Sequence, residues 1–234
     1  MIKYLASKFL DQSKKADEII WAHVYHDSIR GRTYLENLNL NIGRWAGNYA
    51  FFYILNRILH DFKPKSILEL GLGESSKFIM TCLTNFLNDT KHTVIEHDPN
   101  WIALFKENNN IPINTSFMQL DLVEKKFNGH TTNVYQNFLE ETREQSFDLI
   151  IIDGPFGSKR YSRNNILSLV HNLNDKKEFI IIFDDTNRLG EKETFTLLIS
   201  KLKEKGISLY TQEYKGSKSV SIIATKFYKY ATSL

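Results

Sequence analysis

One cysteine, Cys82, stands in 234 residues. No internal disulfide can form, so the chain is expected to fold in a reducing compartment, with Cys82 as a small buried hydrophobe. Only four prolines occur, and no Pro-, Gly- or Ser-rich tract, repeat or low-complexity segment marks a linker. A single domain is therefore expected over residues 1–234, with a helical N-terminal extension at 1–62 and a core at 63–234. Long apolar runs are missing too. Nothing approaches the roughly 20 residues of a membrane span, and the opening MIKYLASKFLDQSKK lacks the apolar centre of a signal peptide. The expectation is a cytoplasmic protein with no membrane partner. Charge of one sign is scarce: the formal net charge of +3 arises from 30 basic and 27 acidic residues, and no basic stripe interleaved with aromatics points to nucleic acid. Also missing are a Gly-Lys-Ser/Thr phosphate loop, a Ser-His-Asp order and paired cysteines, which argues against an ATPase, a hydrolase and a zinc site.

What the chain does have is apolar bulk, 42% of its residues, with sixteen Phe, eleven Tyr and three Trp, most of which a core must absorb. Apolar spacing predicts a helix over 17–29, broken by Arg30-Gly31-Arg32, and a second from near Trp45 to His60, stopped before Pro64. Between them, Asn41 to Tyr49 sets two glycines and an arginine beside two aromatics. It reads either as a substrate-facing loop or as a helix start anchored by a buried Trp45. From residue 66 strands and helices alternate, the signature of an α/β fold with a parallel sheet covered on both faces. Strands are expected at 67–70, 92–96, 114–120, 147–152, 179–183, 207–212 and 219–224. Residues 121–146 read as polar and irregular, with a helix around 134–143. Further helices are expected after Pro99, at 163–173 and at 191–205.

The stretch around which the rest is organised is Ser66 to Phe78, SILELGLGESSKF. A buried strand runs into Gly71-Leu72-Gly73, and Glu74-Ser75-Ser76 then opens an amphipathic helix. Two glycines permit a sharp turn and a close approach of backbone to ligand, and the free N–H groups at the helix start can hold a negative or polar group. By itself this is equally a plain strand–turn–helix connection. Its place, however, is where doubly wound sheets bind nucleotide-like cofactors. Glu69 to Ser76 resembles the first motif of the class I S-adenosylmethionine (SAM)-dependent methyltransferases, an acidic residue and x-Gly-x-Gly followed by a small polar residue. A dinucleotide fingerprint would want a third glycine where Ser76 stands, which counts against NAD.

The resemblance covers about residues 66–226. It implies a Rossmann-like, doubly wound, seven-stranded and mainly parallel sheet whose last strand is antiparallel. It also implies a cofactor site at Glu69, Gly71, Gly73, Ser75 and Ser76. Glu96 ends the second strand 25 residues after Gly71, the distance at which a carboxylate reaches a ribose diol; in the family that position holds the ribose hydroxyls. His97 then edges the adenine pocket, and Asp121, after the third strand, contacts the adenine amino group or caps the next helix.

A second signal is FDLIIIDGPFGSKRYSR, residues 147–163. An apolar strand delivers Asp153 to the carboxyl edge of the sheet, and Lys159, Arg160 and Arg163 add positive charge beside a Gly-Pro loop. Asp153 is the first candidate for chemistry and a further cofactor contact, with Lys159 and Arg160 as catalytic partners. The fifth strand ends at Asp184-Asp185. Three carboxylates at adjacent strand ends repel unless one is protonated or a cation lies between them, and hard oxygen ligands suit Mg²⁺ or Ca²⁺; the rival reading is that Asp184 or Asp185 simply caps the next helix. Here the chain resembles the cation-dependent O-methyltransferases of the catechol type, whose Asp and Asp-Asn positions match Asp153, Asp184 and Asp185. Two departures are Asp185 in place of Asn and the longer Gly-Pro loop. The implied activity is SAM-dependent O-methylation of a small hydroxylated acceptor, a saccharide being one candidate, with Mg²⁺ as candidate second cofactor and a homodimer as candidate assembly. The rival readings are an NAD-binding oxidoreductase using the same glycine turn and a catalytically inactive Rossmann-like binding protein.

Overall fold

The structure, a computed structural model, describes residues 2–234, with side chains described from residue 12 onward. Met1, where the expected extension begins, lies outside the described residues, as do the side chains of residues 2–11. The extension comprises α1 (Ile2–Ile29), the short α2 (Thr33–Glu36) and α3 (Tyr49–Phe62). Then follow β1 (Ser66–Leu70), α4 (Glu74–Asn85), β2 (Lys91–Glu96), α5 (Pro99–Asn108), β3 (Thr115–Gln119) and a hairpin, β4 (Leu122–Phe127) with β5 (His130–Tyr135). The chain continues through α6 (Phe138–Thr142), β6 (Leu149–Ile152), α7 (Ile166–Leu169), β7 (Ile180–Phe183) and α8 (Leu189–Glu204). It closes with β8 (Tyr210–Lys215), β9 (Ser219–Ala224) and a 3₁₀ turn at Lys229–Ser233.

Seven strands form one sheet in the order β3-β2-β1-β6-β7-β9-β8. β1 pairs in parallel with β2 on one side and β6 on the other, while β9 is antiparallel to both β7 and β8. Six strands thus run one way and the last in the chain runs against them. The winding reverses between β1 and β6, so the crevice at a doubly wound sheet's switch point opens beyond Leu70 and Ile152.

The two-residue period of the strands sorts the core. Ile67, Leu149, Ile151, Ile180, Ile182 and Ile222 face α3 and α4, while Leu68, Leu70, Ile150, Ile152, Ile181 and Phe183 face Ile166, Leu198 and Leu202 of α7 and α8. α3 is apolar almost all round because it is buried on both sides: Phe51, Phe52, Ile54, Leu55, Ile58 and Leu59 are all fully enclosed, and α1 covers it through Tyr25 and Ile29. Cys82 is fully buried. Among the described residues no helix is long and apolar enough to cross a membrane.

Several local expectations are corrected. Residues 122–135 are the β4–β5 hairpin, not irregular chain, because Asn128-Gly129 makes a two-residue turn with φ of 47° and 79°. Both angles are those a tight hairpin requires. The helix beyond it is only α6. α3 starts at Tyr49, not near Trp45, since the Asn48 side chain caps it by accepting from the Phe51 N–H. Trp45 is 94% exposed and anchors nothing in the core. α7 is a single turn; the chain before it is bent at Tyr161 and Arg163, both with positive φ, and so cannot be helical. β8 begins three residues later than expected, because Ile207 and the chain after Gly206 are spent on covering the core below α8.

Candidate cofactor and active site

Gly71 and Gly73 have different surroundings. Gly71 has φ of +97°, and a Cβ on it would sit 3.1 Å from the Gly154 nitrogen and 3.3 Å from its Cα. Only glycine lets the loops after β1 and β6 touch there. Gly73 has extended backbone, and a Cβ on it would meet nothing within 4 Å. The first glycine closes the floor and the second faces open space.

The turn between them is held from beneath. Glu69 is fully buried; one carboxylate oxygen accepts from the Ser76 hydroxyl at 2.8 Å and from His92 Nε2 at 3.0 Å. The Ser76 oxygen in turn accepts from the Gly73 N–H at 3.1 Å. Ser75 is also buried, on the first turn of α4. Glu69 Oε2 and the Ser76 hydroxyl therefore fix the loop that Gly73 opens, while Glu69 Oε1 is buried without a hydrogen-bond partner. His92 completes this set, and nothing in its sequence setting on an alternating strand singles it out.

At the end of β2, Glu96 is 6% exposed. Its Oε2 accepts from the Leu72 N–H at 3.1 Å, and its Oε1 from the N–H groups of His97 and Asp98 at 2.7 and 3.1 Å. The Leu72 carbonyl accepts from the Trp101 indole at 2.8 Å, tying α5 to the glycine turn. The His97 ring meets Phe156, which is 65% exposed, edge-on at 5.1 Å. Asp121 is exposed and accepts from Gln119 Nε2 at 2.7 Å.

Asp153, Asp184 and Asp185 do converge: one carboxylate oxygen from each lies within 4.8 Å of the others. Asp184 and Asp185 are buried, and only Asp153, with a fifth of its side chain exposed, reaches open space. Burial, then the Asp184 charge, raises the Asp153 carboxyl to about 8; burial, then Asp185, raises Asp184 to about 6. Lys159 is exposed, and Arg160 turns away, its Nε donating to Glu193 at 2.6 Å. Neither approaches the acids. Arg163 does. It is 4% exposed, and its Nη2 donates to Asp153 at 3.3 Å and to Asp185 at 3.0 Å. Its Nη1 donates to the carbonyls of Ile152 and Asp184 at 3.3 and 3.0 Å. Arg188 lies 3.0 Å from Asp185, and Lys218 lies 3.6 Å from Asp185 and 4.0 Å from Asp184. The donor set is that of a hard-cation site, but one oxygen of Asp153 and one of Asp185 already accept from a guanidinium in its midst, while both oxygens of Asp184 and the other of Asp185 have no donor among the described residues. A divalent ion would have to share that space with the Arg163 charge.

A hollow of about 410 Å³ lies between α1, α2 and the chain entering α3, lined by His23, His26, Arg30, Glu36, Asn39 and Tyr49 among others. Its wall is fastened to the start of α4: Lys77 donates to the Asn39 carbonyl at 3.1 Å, and the Asn41 N–H donates to Glu74 at 3.2 Å.

No protein-family model matches the sequence, and no curated protein matches it. Solved structures match the fold. An O-methyltransferase from Bacillus cereus in complex with SAH has a TM-score of 0.56 and 12% identity, with 92% of this chain and 100% of that one covered. TomG, an O-methyltransferase from Streptomyces achromogenes involved in tomaymycin synthesis and solved with SAM, has a TM-score of 0.53 and 10% identity over 92% and 98%. The SAH-bound methyltransferase PaMTH1 from Podospora anserina has a TM-score of 0.50 and 14% identity over 88% and 87%. The chain has the Rossmann-like fold of these methyltransferases.

Proposed function

We propose that this protein is a SAM-dependent methyltransferase that transfers a methyl group to a hydroxyl oxygen of a small acceptor, with a saccharide as the candidate class. The observation that carries the reading is the open space over Gly73 at the switch point, in a turn whose Leu72 N–H donates to the Glu96 carboxylate and whose Gly71 packs against the loop that begins at Asp153. The methionine end of the cofactor would lie over Gly73, its carboxylate towards the unpaired N–H groups opening α4. Three backbone N–H groups fix Glu96, two on Oε1 and one on Oε2, so Oε2 keeps a lone pair to accept from a ribose hydroxyl. His97 and Phe156 would flank the adenine, with Asp121 at its far edge. Bound SAM supplies a methyl on a cationic sulfur.

The protein's share is orientation and the handling of one proton. The acceptor oxygen gains the methyl, and its proton passes to the Asp153 carboxylate, the one acid of the cluster open to a substrate. A pKa raised to about 8 suits a base that must hold that proton yet release it near neutrality. The polar hollow bounded by His23, His26, Glu36 and Tyr49 supports a hydroxyl-rich acceptor, because such walls offer both donors and acceptors. Its fastening to the first turn of α4 supports a place beside the cofactor.

Calorimetric titration with SAM, SAH and NAD tests the reading. SAM and SAH are expected to bind one per chain and NAD not at all, and Glu96→Gln should weaken SAM at least tenfold. Binding of NAD with no heat from SAM would refute it in favour of an oxidoreductase, and silence from all three in favour of a binding protein without cofactor.

A further inference from the structure

We propose that the Arg163 guanidinium is the resident cation of the strand-end acids, in the place a divalent metal would take, so that this cluster works without metal and Arg163 positions Asp153. Asp153's use as a base rests on the methyltransferase reading; the exclusion of metal does not.

The acids that need a counter-charge are Asp153, a fifth exposed, and the buried Asp184, Asp185 and Glu191. Carboxylates packed together in a protein interior are held by protons, by a metal or by basic side chains. Arg163 supplies the third answer from the middle of the group. Its four contacts have the shape of a coordination sphere: two carboxylate oxygens, from Asp153 and Asp185, and two backbone carbonyls, from Ile152 and Asp184, all at 3.0–3.3 Å. Its Nε lies 4.0 Å from Glu191. A guanidinium stays charged at every working pH and presents its donors in a planar fork, so it can join the ends of β6 and β7 as a small ion would. Arg188 and Lys218 approach from the outer side.

A divalent ion among the same oxygens would have to displace Arg163 or stand beside it, and like charges so close in a buried place repel strongly. Asp184 is the member least served. Neither of its oxygens has a hydrogen-bond donor among the described residues, and Lys218 is 4.0 Å away. It is also fully enclosed, and its backbone carbonyl accepts from Arg163 at 3.0 Å. For Asp153 the consequence is orientation. With Arg163 holding Oδ1, the other oxygen is left for the crevice.

Manganese is the probe. With wild-type protein, millimolar Mn²⁺ should leave the melting temperature unchanged, and the electron paramagnetic resonance signal of free Mn²⁺ should not diminish on adding protein. One Mn²⁺ bound per chain and lost in Asp185→Asn would overturn the proposal. Arg163→Ala should melt well below wild type, and millimolar methylguanidinium should raise its melting temperature while leaving wild type unmoved. A folded Arg163→Ala indifferent to methylguanidinium would show that the guanidinium position is not a cation site, against the proposal. If Arg163→Ala does not fold, Arg163→Lys decides. Lysine keeps the charge without the fork, so it should melt between the two, and a melting point equal to wild type would count against the fork. SAM titration of the wild type is independent of all these results and reports on the methyltransferase reading alone.

Discussion

The two glycines of the β1–α4 turn should respond in opposite ways to a single added side chain. At Gly71, alanine would have to adopt φ of +97°, where an L-residue is strained by about 1–2 kcal/mol. Its Cβ would press on Gly154 at 3.1 and 3.3 Å, in backbone that has little freedom to yield, for an overpacking loss of about 1–3 kcal/mol. Gly71→Ala is thus expected to lose about 3 kcal/mol. At about 2–4 °C per kcal/mol for a chain of this size, the melting temperature should fall by about 6–12 °C. At Gly73 the backbone is extended, no atom waits within 4 Å, and the residue caps α4. Threonine caps about as well as glycine, so Gly73→Thr should leave stability within about 0.5 kcal/mol. Its side chain would instead stand in the space assigned to the cofactor and raise the SAM dissociation constant at least tenfold, about 1.4 kcal/mol. Thermal unfolding by circular dichroism and SAM titration by calorimetry, run on both variants, separate the two roles. A Gly73→Thr protein that binds SAM like wild type refutes the placement of the cofactor. A Gly71→Ala protein that melts like wild type refutes the strain argument.

Two further outcomes follow from the buried acids. His92→Leu removes a partner of the fully buried Glu69 and should lower stability by about 3 kcal/mol, seen as a lower urea midpoint; a midpoint unchanged within error would mean that Glu69 is held by Ser76 alone. Asp153 and Asp184 bind protons more tightly folded than unfolded, since their values of about 8 and about 6 lie above the unfolded value near 3.9. Stability of the cofactor-free protein should therefore fall as pH rises through that window, from about 4 to about 8, and Asp153→Asn should flatten the upper part of the fall. A melting temperature as high at pH 8.5 as at pH 5.5, in both proteins, would contradict it.

How far the sequence could be read depended on whether a feature was local. The sheet strands were legible because buried parallel strands are unbroken apolar runs, as in Leu149–Ile152 and Ile180–Phe183. Asn128-Gly129 is a hairpin signal, but the polar residues before it, Glu124 to Lys126, resemble loop, because a hairpin exposed on one side is polar by nature. The glycine turn announced itself, but the different duties of Gly71 and Gly73 did not, since what faces Gly71 is Gly154, eighty-odd residues away in sequence.

The acid cluster was foreseen as a set and its counter-charge was not. Lys159, Arg160 and Arg163 stand within five positions, all basic, and the one that reaches the acids is the farthest from Asp153 along the chain. What separates them is the bend at Tyr161 and Arg163, where positive φ turns one side chain inward while Arg160 turns out to Glu193. No composition or spacing carries that information, because a left-handed residue of ordinary type is imposed by its surroundings and not by its own preference. The inward arginine also alters the meaning of the acids. Read alone, three carboxylates at adjacent strand ends ask for a metal; read with Arg163 among them, they are one side of an ion-paired core that leaves only Asp153 facing the crevice. The chemistry expected of the site thus turns on a backbone bend eight to ten residues beyond the acid that the strand delivers.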